Sequence, residues 1–398
     1  MRKTEERFWD LMIRHRLKIF IACATLLSMY ARFSFRGFIS PDVDIFLIPW
    51  YDVIQERGAW RALGQQVGNY QISYQTLVAL LTYLPVHKVY AYKMLSMAFD
   101  YALGIVAGRM VHEITGSQTK AAAVYAVVVL LPTTVLNSAA WGQCDSIYTF
   151  FLMATFLLLL RERHGAALFC YGLAFAFKLQ AVFFLPFLLF YYVWSRKFSA
   201  WQFLWIPAAM LLASVGGLIQ GRSPLDIFRI YAEQSGTYQQ ISLNYPSFWN
   251  LMVVTLAEDG VDHYAELQGF CLGVTVVALG GMMLWLIRKG KLGKDSLLQA
   301  ATLMMYTCLF FLPAMHERYS YPVLIFLTAA CALSPRMIPV LIGVVAIDLQ
   351  TYGSYLMKKE ALSWELLTLM NVACYAGTLY LTWRSIQKEP VGWIGKEG

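Results

Sequence analysis

The sequence predicts an all-α integral membrane protein that crosses the bilayer about twelve times. Of its 398 residues, 59% are hydrophobic and only 14% are charged, and the mean hydropathy is +0.53. Apolar runs of roughly 20 residues, the length of a membrane-spanning helix, follow one another along the chain. Too little polar sequence lies outside these runs to enclose a separate soluble core. We therefore expect one membrane domain over residues 1–398.

The predicted crossings follow the apolar runs. The run from Gly165 to Trp194 is interrupted by Lys178 and Gln180, so it is interpreted as two short helices that meet at a polar tip. The apolar stretch from Tyr74 to Pro85 is too short to span a bilayer and is expected to form an interfacial helix. The other crossings are expected near 17–36, 92–112, 119–136, 145–160, 201–219, 265–287, 297–313, 319–333, 337–356 and 363–384.

The basic residues predict the orientation. A net charge of +8 is divided into short clusters between apolar runs, which is typical of topology signals and not of a nucleic-acid surface. With the basic N-terminus in the cytoplasm, strict alternation places most Lys and Arg residues and the C-terminus on the same side. Two long loops, 37–91 and 220–264, are then predicted on the outer face. The seven Cys residues have no C-x-x-C spacing, so no disulfide framework or zinc site is indicated.

The first candidate segment follows the first crossing. Ser40 is a plausible N-cap and Pro41 suits the first helical position, so Asp42 is expected in the first turn of a loop helix. Residues two apart on a helix point in different directions, so only one of Asp42 and Asp44 is expected to face a site. Alternatively, both acids merely stabilise the helix N-terminus.

Two further segments place polar residues beside apolar helices. The turn from Trp141 through Gln143 to Asp145 is either part of a site or an interfacial Trp followed by a helix start. Lys178 lies inside an apolar run, where a Lys costs about 2.5–3.5 kcal/mol to insert, so it needs an anionic partner. That partner is either a ligand or an internal carboxylate such as Asp145.

The fourth segment is the turn His316-Glu317-Arg318. The Arg318 fork suits phosphate oxygens, and His316 can donate to the same group; the alternative is a solvated loop tip. All four segments fall on the predicted outer face. Carboxylates and cations in one cavity suit glycosyl transfer from a lipid phosphate, because a carboxylate can take the acceptor hydroxyl proton while cations hold the departing phosphate.

Together the four segments resemble bacterial GT-C glycosyltransferases of the mannosyltransferase-like group. They are more distantly similar to the dolichyl-phosphate-glucose glucosyltransferases and to the second mannosyltransferase of GPI-anchor synthesis. The resemblance implies a GT-C fold with interfacial helices in the first outer loop, in the plasma (inner) membrane of a bacterium. It implies a polyprenyl-phosphate sugar donor, a glycan or cell-envelope polymer acceptor, and direct inverting transfer. No cofactor or metal is expected.

The resemblance also implies roles for individual residues. An acidic residue of the first outer loop is the general base in that group, which falls on Asp42 as first choice. Asp44 is the second choice, because this chain has Pro41 where the family often has Gly, and a second acid follows. The donor phosphate is expected to be held by Lys178, His316 and Arg318, and substrate contacts are expected from Trp141, Gln143, Asp145, Gln180, Tyr245 and Glu317.

Two other function classes compete with this interpretation. A lipid-linked sugar flippase or secondary transporter also has many crossings and intramembrane charges. The sequence shows no internal repeat and no paired broken helices in matching halves, which transporters commonly have. A non-catalytic scaffold leaves the charges at Lys178 and at 316–318 unexplained. Transport and scaffolding should largely survive Asp42→Asn, whereas glycosyl transfer should not.

Overall fold

A computed structural model describes residues 2–256 and 263–388, and in these ranges all regular structure is helical, with no β-strand. The all-α prediction is therefore confirmed. The predicted first crossing, 17–36, overlaps the C-terminal half of the long helix α1, and the predicted interfacial stretch corresponds to the short helix α3. The elements of this first part are α1 (Arg2–Ser34), a π-helical segment (Val43–Leu47), α2 (Ile48–Glu56), a 3-10 turn (Arg61–Gly64), α3 (Ile72–Leu81), α4 (Lys88–Thr115) and α5 (Gln118–Leu130).

The middle of the chain contains the predicted polar interruption. Lys178 has φ −153° and ψ 136°, so its backbone leaves the helical region and separates two short helices. The predicted break in this apolar run is confirmed. The elements here are α6 (Pro132–Val135), a π-helical segment (Leu136–Ala140), α7 (Asp145–Leu160), α8 (His164–Phe177), a 3-10 helix (Leu179–Phe184), α9 (Leu185–Ser195), a 3-10 helix (Ala200–Leu204), α10 (Trp205–Ala213) and α11 (Val215–Ile219).

The last part begins in the second long loop, which is itself partly helical. Residues 257–262 of this predicted loop lie outside the described residues. The elements are α12 (Asp226–Thr237), α13 (Trp249–Leu256), α14 (Tyr264–Lys289), α15 (Lys294–Phe311), α16 (Tyr321–Leu333), a 3-10 turn (Pro335–Met337), α17 (Ile338–Met357) and α18 (Trp364–Gln387).

Several helices are long and apolar enough to cross a bilayer. Among the described residues five helices meet this criterion, or six if the pair Gln118–Leu130 and Pro132–Ala140, bent by 49°, is one span. The five are Glu5–Ser34, Lys88–Thr115, Tyr264–Lys289, Pro335–Met357 and Trp364–Gln387. Five or six such helices are typical of a polytopic membrane protein. The other predicted crossings correspond to shorter helices, so the count of twelve stays a prediction.

The packing places the turn between α15 and α16 inside the protein. Nearly every side chain of α15 and α16 is buried by neighbouring helices, as expected for helices that are apolar on all sides. Around them α4 packs on α5 and α7, α7 on α8, and α8 on α10. At Gly172 a Cβ atom would lie 2.5 Å from the Ile206 carbonyl oxygen, so the backbones of α8 and α10 approach closely.

A buried ion pair joins the first helix to this bundle. Arg32 Nη2 of α1 lies 2.8 Å from Asp100 Oδ2 of α4. Arg32 Nη1 also donates to the Val129 carbonyl at 2.7 Å, and the Tyr321 hydroxyl donates to Asp100 Oδ1 at 3.3 Å. The pair thus ties α1, α4, α5 and α16 together near the end of α1 that leads to Asp42.

Asp100→Asn should lower the free energy of unfolding by about 3 kcal/mol or more, because it leaves the buried Arg32 charge without a counter-charge. Unfolding in mixed detergent micelles measures this change. The control is Glu162→Gln, which removes an ion pair to Lys197 whose side chains are 59% and 50% exposed and should cost under about 1 kcal/mol. Equal losses in the two variants would contradict the anchoring role of Asp100.

Candidate active site

Asp42 lies in the first turn of the helical segment that follows α1, as predicted. Helical backbone begins at Pro41, and the backbone N–H of Val43 donates to Ser40 Oγ at 3.2 Å. Ser40 therefore caps this helix. Its own hydroxyl donates to the Trp141 carbonyl at 2.9 Å, so the cap also fixes the helix against the 141–145 turn.

The Asp42 carboxylate is held by three donors. Its Oδ2 accepts from Trp141 Nε1 at 2.9 Å and from Gln143 Nε2 at 2.6 Å, and its Oδ1 accepts from the Tyr355 hydroxyl. A carboxylate has about four acceptor positions, so one position on Oδ1 is left. The side chain is 12% exposed, which leaves this position within reach of a ligand.

Asp44 does not reach this cluster. It is exposed, and its carboxylate has no hydrogen bond or ion pair to any of the described residues. Only one of the two acids, Asp42, therefore contacts the cluster, and which of them acts as the base stays a prediction.

The 141–145 turn is built around a glycine. Gly142 has φ +75°, a left-handed conformation that glycine adopts without steric cost, and a Cβ atom there would lie 2.9 Å from Val43 Cγ2. Beside it, Trp141 is fully buried and stacks on Tyr355, with ring centroids 4.7 Å apart. The alternative that Trp141 is an ordinary lipid-interface residue is therefore wrong.

The second carboxylate, Asp145, is the partner of Lys178. The two form an ion pair in which Asp145 is fully buried and Lys178 is 11% exposed, and Asn137 Nδ2 donates to the other Asp145 oxygen at 2.9 Å. Of the two partners considered for Lys178, the internal carboxylate is present in the fold. Gln180 is not joined to the cluster, and its buried Oε1 has no hydrogen bond from any described residue.

Arg318 connects the two carboxylates. Its Nη2 lies 3.6 Å from Asp42 Oδ2, and its Nη1 lies 4.0 Å from Asp145 Oδ2. The guanidinium carbon stands 4.9 Å from the centroid of the Trp141 ring, a cation–π contact. Since the Arg318 side chain is only 16% exposed, the interpretation of residues 316–318 as a solvated loop tip is wrong.

Glu317 and His316 complete the cluster. Glu317 Oε1 lies 3.5 Å from Arg318 Nε, and its Oε2 lies 3.6 Å from His316 Nδ1. Burial raises the pKa of the Glu317 carboxyl, but His316 and the Arg318 charge outweigh burial, so this pKa lies below its ordinary value of 4.5. His316 Nε2 is buried and has no hydrogen-bond partner among the described residues.

Carboxylates and cations alternate within the cluster. Asp145 contacts Lys178 and Glu317 contacts Arg318, so these two carboxylates lie directly against the cations. Residues 2–256 and 263–388 contain no group of three or more His, Cys, Asp or Glu side chains arranged to hold a metal ion. Whether activity needs a metal stays a prediction.

Tyr245, like Asp44 and Gln180, lies outside the cluster, and two residues that were not predicted lie in it. Tyr245 is fully buried, and its hydroxyl donates to Asn371 Oδ1 at 3.3 Å, a packing position outside the cluster. Sequence reasoning missed Tyr355, which binds Asp42, and Tyr70, whose hydroxyl donates to Gln143 Oε1 at 3.0 Å. Aromatic residues at the ends of membrane helices are common, so nothing in the sequence marked them.

The chain also shows a family relationship. The sequence matches the family model of glycosyltransferase family 87 over residues 69–313, more than half of the chain. The chain belongs to glycosyltransferase family 87. This is a GT-C-type family, so the resemblance inferred from the four segments is confirmed.

The match covers only part of the site of this family 87 glycosyltransferase. It includes the turn from Trp141 to Asp145 and Lys178, whereas Asp42 and the segment 316–318 lie outside the matched range. No curated protein matches the chain significantly. The roles of Asp42 and Arg318 therefore have to be argued from their geometry.

Glu317→Gln should make the protein less stable in a pH-dependent way. Because the folded-state pKa of Glu317 is below 4.5, its stabilising contribution is complete above that pH and is lost as the pH falls through the folded pKa. The unfolding midpoint of the unmodified protein should therefore exceed that of the variant at pH 7, and the difference should shrink on acidification. A difference that is independent of pH would contradict the charged role of Glu317.

Proposed function

We propose that this family 87 glycosyltransferase moves a monosaccharide from a polyprenyl-phosphate carrier to a hydroxyl group of a glycan or cell-envelope polymer. The reaction takes place on the outer face of a bacterial plasma membrane, with both termini in the cytoplasm. The observation that carries the proposal is the pairing of a fixed carboxylate, Asp42, with a guanidinium 3.6 Å away. A base and an anion-binding group are thus held side by side in a chain whose family transfers sugars.

Asp42 acts as the general base. Its three donors orient the carboxylate, and the remaining position on Oδ1 accepts the hydrogen bond of the incoming acceptor hydroxyl. As the hydroxyl oxygen attacks the anomeric carbon, its proton moves to Oδ1. Positioned general bases contribute roughly 10²- to 10⁴-fold to a rate.

The departing phosphate is stabilised by Arg318 and His316. The bond between the anomeric carbon and the phosphate oxygen breaks as the new glycosidic bond forms, and the electron pair leaves with the phosphate, so the configuration inverts. Arg318 supplies donors in a planar fork, and the unpartnered His316 Nε2 supplies a further hydrogen bond. Phosphate is a good leaving group, so no general acid is needed.

Lys178 contributes through Asp145. The ion pair between them offsets the charge of Asp145, which lies 4.0 Å from Arg318. Of the three carboxylates within 4.0 Å of Arg318, Asp145 is thus compensated by Lys178, and Asp42 and Glu317 remain as the direct partners of the Arg318 charge. With these cations in place we propose that no metal or other cofactor is required, and chelation by EDTA in the transfer assay tests this point.

The strongest rival is a lipid-linked sugar flippase or transporter. Such proteins typically gather ionisable residues near the bilayer midplane, between two structural repeats. Here the charged side chains gather where helices begin or end: Asp42 before α2, Asp145 at the start of α7 and Arg318 between α15 and α16. This arrangement favours an enzyme site at a membrane surface.

Asp42→Asn should reduce transfer by at least about 100-fold, because the amide cannot accept the hydroxyl proton. The assay uses liposomes with a panel of synthetic polyprenyl-phosphate sugars and an acceptor pool, and it measures release of polyprenyl phosphate. Asp44→Asn is the matched control, since Asp44 is exposed two residues away, and it should keep near-normal activity. The reverse result would assign the base to Asp44, and silence of the unmodified protein with every donor would favour the transporter.

Arg318→Lys should raise the KM for the lipid donor by about 10- to 100-fold, the range for losing charge-assisted hydrogen bonds of about 1.5–3 kcal/mol. Initial rates at varied donor concentration measure this change. The control is Arg61→Gln, an exposed cation of the first outer loop. An unchanged donor KM in Arg318→Lys and Arg318→Ala would remove Arg318 from the phosphate site.

A further inference from the structure

The two long outer loops are joined by hydrogen bonds that converge on residues 66–71. Arg222 Nη2 donates to Gln66 Oε1 at 2.7 Å, Gln71 Nε2 donates to the Ile227 carbonyl at 3.0 Å, and Gln234 Nε2 donates to the Asn69 carbonyl at 2.5 Å. These bonds link residues more than 140 positions apart in the chain. The second loop therefore determines where the 66–71 segment lies.

Arg222 fixes the orientation of the Gln66 side chain. A guanidinium can only donate hydrogen bonds, so the Gln66 carbonyl oxygen must face Arg222 and its amide nitrogen must face away. That nitrogen donates to the carbonyls of Gly68 and Tyr70, both at 2.8 Å. Through Gln66, Arg222 thus holds the backbone on both sides of Asn69. This backbone in turn places the Tyr70 side chain.

Asp42 fixes the direction of the hydrogen bonds at the other end. An ionised carboxylate only accepts, so Gln143 must turn its nitrogen to Asp42 and its oxygen to Tyr70. The Tyr70 hydroxyl donates to that oxygen at 3.0 Å. Burial raises the pKa of Tyr70 well above its ordinary value of 10.0, so the hydroxyl keeps its proton and remains a donor.

We propose that Arg222 is a positioning residue for sugar transfer, acting through Gln66, Tyr70 and Gln143 to orient Asp42. The inference rests on the proposed role of Asp42 as base. Without the Tyr70 hydroxyl the Gln143 amide can rotate, and its oxygen then repels the carboxylate. Without Arg222 the Gln66 amide is free to rotate, and its nitrogen then no longer holds the Tyr70 carbonyl. Either change leaves the base less often in the orientation that accepts the acceptor proton.

The second loop offers a matched control for Arg222. Asp226 lies 3.5 Å from Arg222 Nε and 3.2 Å from Arg229 Nη1. The two arginines therefore share one acidic partner. Arg229 is 67% exposed, whereas Arg222 is 4% exposed and is the one that reaches Gln66. Arg229→Gln removes the same charge and the same type of ion pair without touching residues 66–71.

The decisive experiment compares Arg222→Gln, Arg229→Gln, Tyr70→Phe and the double variant Arg222→Gln with Tyr70→Phe in steady-state transfer. We expect Arg222→Gln and Tyr70→Phe each to lower kcat by about tenfold, while the donor KM changes less than about twofold. A tenfold loss of kcat lies within the range of interaction energies found between members of one hydrogen-bond network. Arg229→Gln should behave like the unmodified protein. The double variant should be no slower than the slower single variant, because both changes interrupt one chain of contacts. Arg222→Lys should recover part of kcat, since its ammonium can still donate to Gln66.

Equal kcat values for Arg222→Gln and Arg229→Gln, or fully additive losses in the double variant, would overturn the proposal. Hydrogen–deuterium exchange gives a second readout that needs no turnover. Arg222→Gln should increase exchange in peptides covering 66–71 and 141–145, and Arg229→Gln should not; unchanged exchange in both also overturns it. If the unmodified protein transfers no sugar, the proposed function fails, while the exchange data still decide whether Arg222 orders these segments.

Discussion

The contacts of Arg318 with Asp42 and Asp145 are the interaction on which the site depends. Charges removed from water cost several kcal/mol each unless they are paired. Arg318 lies within 4.0 Å of both carboxylates, and Asp145 in turn pairs with Lys178. These charged residues come from four separate segments, so the charges are compensated only when all four are in place. The same network that stabilises the fold therefore assembles the candidate site.

Three irregular helical segments lie beside residues of the candidate site. A π-helical segment follows Asp42, another precedes Trp141, and a 3-10 helix follows Lys178. Departures from the α-helix expose backbone groups that lipid cannot satisfy, so they are tolerated where protein or a cavity surrounds them, and π-helical turns often occur at functional sites. At each of these three positions the irregular segment directly adjoins a residue of the candidate site.

Contacts from the helical core and from the long loops together fix the segment around Asp42. The Arg32–Asp100 pair anchors α1 beside α4, and Lys93 Nζ donates to the carbonyls of Phe35 and Phe38 at 2.8 and 2.6 Å. Both sets of contacts fix the chain just before Asp42. From the other side, Arg222 and Gln66 order the segment that reaches Gln143. Asp42 is thus held between the helical core and the two long loops.

The sequence by itself determined the membrane class, the approximate helical positions and the break at Lys178. It also determined the Ser40 cap and the four segments that meet in the candidate site. These features follow from local physics: hydropathy over a span, capping of a first turn, and the cost of a charge in an apolar run. Only the tertiary structure decided that Asp42 and not Asp44 faces the cluster, that Asp145 is the partner of Lys178, and that Tyr70, Tyr355 and Arg222 belong to its surroundings. Those contacts join distant parts of the chain, with 313 positions between Asp42 and Tyr355. Helix packing brings such residues together, and no local pattern of residue types encodes it.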